Sequence, residues 1–121
     1  MNSSHRVLYV EDDPDSAEVL QIALEMDGFE VVCCPTSEEG LRHAQGGGFL
    51  AIILDHWLPD ITGVDVCREI RTFDQQTVII IYSAAAYRAD IEEGLEAGAN
   101  YYFVKPMDFS KVRESIAKLV T

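Results

Sequence analysis

Five polar side chains in this 121-residue chain stand directly behind apolar runs. Glu11 and Asp12 follow RVLYV, Asp55 follows AIIL, Ser83 follows VIIIY and Lys105 follows YYFV. Clustered carboxylates repel one another, and each resists ionisation unless a cation compensates. A hard divalent ion does so. Mg²⁺ suits best, because it takes oxygen ligands and keeps several waters while bridging to a phosphate. An Asp beside such an ion can act as a nucleophile toward phosphorus, forming an aspartyl phosphate. A hydroxyl and an ammonium, as on Ser83 and Lys105, would then hold the phosphoryl oxygens by hydrogen bond and charge.

That chemistry needs groups far apart in sequence to meet, and the alternation of short apolar runs with helical patterns supplies the means. Strands are expected at Arg6 to Val10, Phe29 to Cys33, Leu50 to Leu54, Val78 to Tyr82 and Tyr101 to Val104. Three of them are nearly all apolar, as in a parallel sheet covered on both faces by helices. Between the first two strands, Asp13 is placed to cap a helix with Pro14 in its first turn; Ala17, Leu20 and Leu24 follow at helical spacing and Gly28 ends it. Thr36 and Glu39 have capping-box spacing for a second helix that stops at Gly46 to Gly48. Val66, Ile70 and Phe73 mark a third, Ile91 and Leu95 a fourth, and Phe109, Val112, Ile116 and Leu119 a fifth. Five strands and five helices in alternation make an α/β fold with a doubly wound parallel sheet. Ligands of such sheets bind beyond the carboxyl ends of the strands. The five polar residues all fall at that rim.

Bulk properties narrow the partners. With 48% hydrophobic and 25% charged residues, the chain fits one domain spanning residues 1–121. A net charge of −12 opposes nucleic acid and anionic lipid, which points to a protein partner. No run of about 18 apolar residues is present to span a membrane, and MNSSHR lacks the apolar segment of a signal peptide, so a cytoplasmic protein is expected. Cys33, Cys34 and Cys67 read as reduced, mostly buried small residues, the adjacent pair pointing to opposite faces of a strand.

In order along the chain, VEDDP, LDHWLPDITG, YSAAA and EAGANYYFVKP resemble the motifs of the receiver domain of two-component response regulators, and the resemblance covers essentially the whole sequence. It implies a flavodoxin-like (βα)5 fold with strand order 2-1-3-4-5. It also implies that Asp55 is the phosphoacceptor and that Glu11 and Asp12 hold Mg²⁺ with help from Asp55 and the backbone carbonyl of Trp57. Ser83 is implied as the switch hydroxyl, Tyr102 as its aromatic partner, Lys105 as the phosphate-binding lysine, and Lys105-Pro106 as a cis peptide. The implied function is that of a cytoplasmic phosphorelay protein. A histidine kinase or phosphotransfer protein would phosphorylate Asp55, and a downstream protein or covalently linked output domain would read the altered surface of the fourth helix, fifth strand and fifth helix. On this reading the chain is not an enzyme in the ordinary sense, though it promotes its own phosphorylation and dephosphorylation. Trp57 stands where its ring can affect the acylphosphate lifetime. Asn100 and Tyr101 stand where many transcription-factor receivers carry acids used in dimer salt bridges; Tyr101 and Phe103 instead suggest an apolar face.

Plainer readings stand beside these. Asp13 is accounted for as a cap, Glu11 could be a solvated loop acid, Ser83 could cap the next helix, Lys105 could be a surface lysine, and Tyr102 a core aromatic. His56 follows Asp55 but would point to the opposite face. Three rival functions compete with this one. A Mg²⁺-dependent phosphohydrolase wants a second Asp where Trp57 stands, a nucleotide binder wants a glycine-rich loop after Val10, and a pseudo-receiver would lack part of the set Glu11, Asp12, Asp55, Ser83 and Lys105.

Overall fold

The computed structural model describes residues 5–121; Met1 to Ser4, most of the segment read for a missing leader, lie outside the described residues. The elements alternate as expected: β1 (Arg6–Val10), α1 (Pro14–Met26), β2 (Glu30–Cys34), α2 (Ser37–Gly46), β3 (Ala51–Leu54), α3 (Gly63–Phe73), β4 (Val78–Ser83), α4 (Arg88–Glu96), β5 (Tyr101–Val104) and α5 (Phe109–Ala117). A short 3₁₀ turn, Lys118–Val120, follows. All strands are parallel, in the order β2-β1-β3-β4-β5. Boundaries move by a residue at three strands. Phe29 precedes β2, Leu50 precedes β3, and β4 runs on to Ser83.

Strand periodicity splits the core into two layers. Leu8, Val10, Ile52, Leu54, Ile79 and Ile81 point to the face covered by α2, α3 and α4. Val7, Tyr9, Ala51, Ile53, Ile80 and Tyr82 point to the face covered by α1 and α5, where Leu20, Leu24, Val112 and Ile116 meet them. Cys34 enters the first layer and Cys33 packs against the second, so the adjacent cysteines part as expected, and Cys33, Cys34 and Cys67 are all free thiols. Burial pushes the thiols of Cys34 and Cys67 up to about 11. They are packing residues.

Local signals acted largely as read. Asp13 accepts from Ser16 N–H at 3.1 Å, with Pro14 opening α1. Thr36 accepts from Glu39 N–H at 3.2 Å, the forward half of a capping box. Two helix markers do not face the core. Phe73 and Leu95 are 43% and 45% exposed, and the residue that α4 buries is Gly94. Ser83 does not cap α4. That helix opens at Tyr87, whose N–H is bonded to the Asp90 carboxylate, and the Ser83 hydroxyl bonds Ala85 N–H instead.

Side chains clasp elements that local patterning could not relate. Arg71 bonds the carbonyls of Gly98, Asp74 and Thr77 and the side-chain oxygen of Asn100, which itself accepts from Ile79 N–H at 2.9 Å. Asn100 is thereby spent on structure. Arg113 on α5 grips Asp27 after α1 through both carboxylate oxygens, at 2.9 and 2.7 Å. None of the described helices is long and apolar enough to cross a membrane.

Candidate functional site

The sheet ladder continues one rung past three strands, and these extra rungs carry the site. Glu11 N–H donates to Cys34 C=O at 2.9 Å, Asp55 N–H to Val10 C=O at 3.1 Å, and Lys105 N–H to Ser83 C=O at 2.9 Å. Because β1 and β3 pair Val10 with Leu54, Glu11 and Asp55 leave the sheet at the same level. Oxygens from Glu11, Asp12 and Asp55 come within 4.8 Å of one another. The Lys105 ammonium bonds both Glu11 Oε1 and, at 3.1 Å, Asp55 Oδ2.

Electrostatics follow from that crowding. Glu11 and Asp55 are only 4% and 8% exposed, while Asp12 is open to solvent. Burial raises the Glu11 pKa, and the neighbouring Asp55 charge adds to this, although the Lys105 bond opposes both. Burial alone would lower the Lys105 pKa; the two carboxylates outweigh it and hold the ammonium charged. Tyr9, a core residue on β1, donates its hydroxyl to Glu11 Oε1 at 3.2 Å, and burial beside that carboxylate holds the phenol well above its ordinary range. The donor set suits a hard cation. All three side chains offer oxygen, two are buried carboxylates with a single shared ammonium to offset them, and the third faces water.

The loop between β3 and α3 is fixed at two points. Gly63, at the start of α3, donates its N–H to His56 C=O at 2.8 Å, and a Cβ at this glycine would lie 1.9 Å from the Asp55 carbonyl oxygen. Only glycine fits so near that backbone. Three residues before Gly63, Asp60 accepts from the N–H groups of Ser37 and Glu38, the first two residues of α2, at 3.0 and 3.1 Å. Within the loop Trp57 donates its backbone N–H to Asp55 Oδ1 at 3.3 Å, while the residue is 61% exposed and its indole is tilted against the His56 ring with centroids 4.5 Å apart.

Ser83 is fully buried at the end of β4, and its oxygen accepts from Ala85 N–H at 3.2 Å. Tyr102 is half-buried on the first core layer, with its hydroxyl donating to Ala85 C=O at 2.7 Å and 3.1 Å from His56 Nδ1. The structure therefore gathers Glu11, Asp12, Asp55 and Lys105 into one cluster and relates Ser83 to Tyr102 through Ala85. Tyr101 and Phe103 stack on the opposite side of β5, with centroids 5.4 Å apart. A cavity of about 370 Å³ opens beside Lys105, walled by Val19, Tyr82, Pro106 and Phe109. The Lys105-Pro106 peptide is cis.

Sequence reasoning passed over Asp60, Gly63 and the contact of His56 with Tyr102. Gly63 ended the quoted LDHWLPDITG motif and could have been questioned there; the other two depend on chain segments more than 20 residues away.

A parallel sheet in the order 2-1-3-4-5, with acids beyond β1 and β3 and a lysine beyond β5, defines a receiver-type signalling domain. Residues 7–117 match the family described as response regulator receiver domain, and the chain belongs to that family, the signalling module of two-component systems. It is 38% identical over 112 residues to the uncharacterized transcriptional regulatory protein YkoG of Bacillus subtilis, covering 93% of this chain and 49% of that one. It is 43% identical over 109 residues to the transcriptional regulatory protein CseB of Streptomyces coelicolor, covering 89% and 46%. The chain thus spans about half the length of these curated relatives. Among solved structures, the response regulator TrrA of Thermotoga maritima, in complex with Mg²⁺-BeF, superposes with a TM-score of 0.84 at 33% identity, covering 98% of this chain and 99% of that one. A CheY-like receiver domain protein of Methanospirillum hungatei gives 0.84 at 26% identity, covering 95% of each.

Proposed function

We propose that Asp55 accepts a phosphoryl group from a phosphohistidine of a kinase or phosphotransfer protein, and that the modified chain signals through its α4-β5-α5 surface. The observation that carries this reading is the Lys105 ammonium bonded to both Glu11 and Asp55 beyond the strand ends. An Asp55 oxygen attacks phosphorus as the phosphorus–nitrogen bond breaks, and the imidazole leaves with its electron pair. Lys105, already in contact with Asp55, moves its charge from carboxylate to phosphoryl oxygen. Ser83 supplies a hydroxyl to a second oxygen, drawing the loop through Ala85 with it.

Glu11, Asp12, Asp55 and the Trp57 carbonyl would hold Mg²⁺, which when bound offsets the charge of the carboxylates and the incoming phosphoryl group. The TrrA complex with Mg²⁺-BeF supports an ion and a phosphoryl-like group in a related fold. Tyr102 follows Ala85, to which its hydroxyl is bonded, so the switch reaches β5 and α4. Phosphate then biases an existing equilibrium between two surfaces, which a downstream protein or a linked output domain reads. The names of the relatives support a transcriptional output.

The test is incubation with Mg²⁺ and a small phosphodonor such as acetyl phosphate, followed by intact mass. The wild type should gain one phosphoryl group and Asp55→Asn none, with far-ultraviolet dichroism unchanged. A variant that gains the group at the wild-type rate would sink the assignment of Asp55; turnover of the donor with no trapped adduct in any condition would favour a phosphohydrolase.

A further inference from the structure

A circuit of contacts surrounds the site that phosphoryl transfer does not itself require. From Ser83 it runs through the N–H and C=O of Ala85 to the Tyr102 hydroxyl, and from there to Nδ1 of His56, the residue next to Asp55. Counting protons sets the tautomer. A carbonyl has no proton to give, so at 2.7 Å the single hydroxyl proton of Tyr102 points at Ala85. The tyrosine oxygen is left as an acceptor, and the 3.1 Å contact is satisfied by an imidazole N–H. His56 is therefore the donor, through Nδ1.

The imidazole is also held in place. It is 2% exposed, edge-on to the Tyr102 ring with centroids 6.2 Å apart, and tilted against the Trp57 indole. Its backbone carbonyl is bonded to Gly63 N–H, which ties the residue to the start of α3. The tyrosine hydroxyl thus sits between two groups on different loops, His56 before α3 and Ala85 beside Ser83.

We infer that His56 is a positioning residue for Tyr102. Its Nδ1–H bond latches the ring where the hydroxyl holds the Ala85 carbonyl, and so favours, before any phosphoryl group arrives, the loop position that carries Ser83. This rests on the phosphoacceptor reading of Asp55. By linkage, a latch that favours the modified-like arrangement raises affinity for a phosphoryl mimic, and its loss lowers that affinity by the same factor.

Two measurements test it. Imidazole ¹⁵N spectra at pH 8, where an ordinary imidazole is neutral, read the tautomer, and His56→Asn assigns the signal among the three histidines. The expected form is Nδ1–H, with its proton signal lost in Tyr102→Phe. Calorimetric titration with beryllofluoride and Mg²⁺ reads the linkage. His56→Leu should bind about five-fold more weakly, the factor carried by one ordinary hydrogen bond. His56→Asn, whose amide nitrogen can replace Nδ1, should bind like wild type, and His56→Leu should add nothing in a Tyr102→Phe background. An Nε2–H tautomer indifferent to Tyr102→Phe overturns the latch, as does equal affinity in wild type and His56→Leu, or Asn binding as weakly as Leu. A wild type that ignores beryllofluoride while showing the Nδ1–H signal overturns the phosphoacceptor reading, and the inferred role falls with it.

Discussion

Gly94 on α4 is the seat of the Tyr102 ring: a Cβ at this glycine would lie 2.8 Å from the ring's Cδ2 and 2.9 Å from Cδ1 of Ile81. The isoleucine methyl can rotate aside, but the flat ring can only tilt or leave. Gly94→Ala therefore sets a gain in helix propensity of about 1 kcal/mol against overpacking of roughly 1–3 kcal/mol. A net loss of about 1 kcal/mol is expected in urea melts, together with altered Tyr102 ring shifts. A more stable variant with an undisturbed ring would show that the pocket yields freely.

Lys105→Ala should destabilise the metal-free protein by about 3 kcal/mol, because Glu11 and Asp55 would be left buried without their shared cation. Mg²⁺ should recover more stability in the variant than in wild type, and bind it more tightly, since a competing positive charge is gone. Melts in chelator and in Mg²⁺ compare the two. Equal losses in both media would place the lysine outside the charge balance of the cluster.

Asp60 should give the fold acid sensitivity. Slight burial works to raise its pKa, but the N–H groups of Ser37 and Glu38 outweigh it and hold the carboxyl at about 2. A carboxyl lowered in the folded state stabilises the fold above its unfolded pKa, about 3.9, and that contribution is lost as pH falls from there toward 2. Asp60→Asn should cost roughly 1 kcal/mol at pH 7, as for loss of a helix N-terminal carboxylate. Urea melts stepped down in pH should show the gap to wild type closing below about pH 4. A gap constant to pH 3 would assign the effect to packing.

Trp57, the only tryptophan, reports on the cluster from its rim. Its backbone N–H is bonded to Asp55 and its ring is tilted against that of His56. Adding Mg²⁺ at constant ionic strength should change its emission saturably, and Asp12→Asn should weaken that response strongly because a direct ligand is lost. A flat titration in both proteins would mean that ion binding leaves the loop unmoved.

The site was legible to different depths. Glu11, Asp55 and Lys105 stood out because a charged residue ending a buried apolar strand needs a partner, and a parallel sheet delivers all such ends to one rim. Tyr102 was legible only through resemblance, since an aromatic in a strand is ordinarily core. His56 was placed on the opposite face from Asp55 by strand alternation, yet alternation could not say what that face held. Phe73 and Leu95 misled for a related reason: an apolar residue at helical spacing marks a helix, but whether it reaches the core depends on how the helix is rotated.

What the sequence determined by itself was what depends on near neighbours: the order of elements, the two-faced apolar strands, the caps at Asp13 and Thr36, and the set of polar residues at strand ends. These follow from spacings of two to four residues, over which backbone geometry leaves few choices. Tertiary structure decided the rest. That Lys105 spans Glu11 and Asp55, that Asp60 caps a helix 22 residues earlier in the chain, and that the Tyr102 hydroxyl lies between Ala85 and His56 all require positions set by packing across the sheet. Hydrogen bonds and ion pairs act over about 3 Å, and only the packed core brings such distant residues that close.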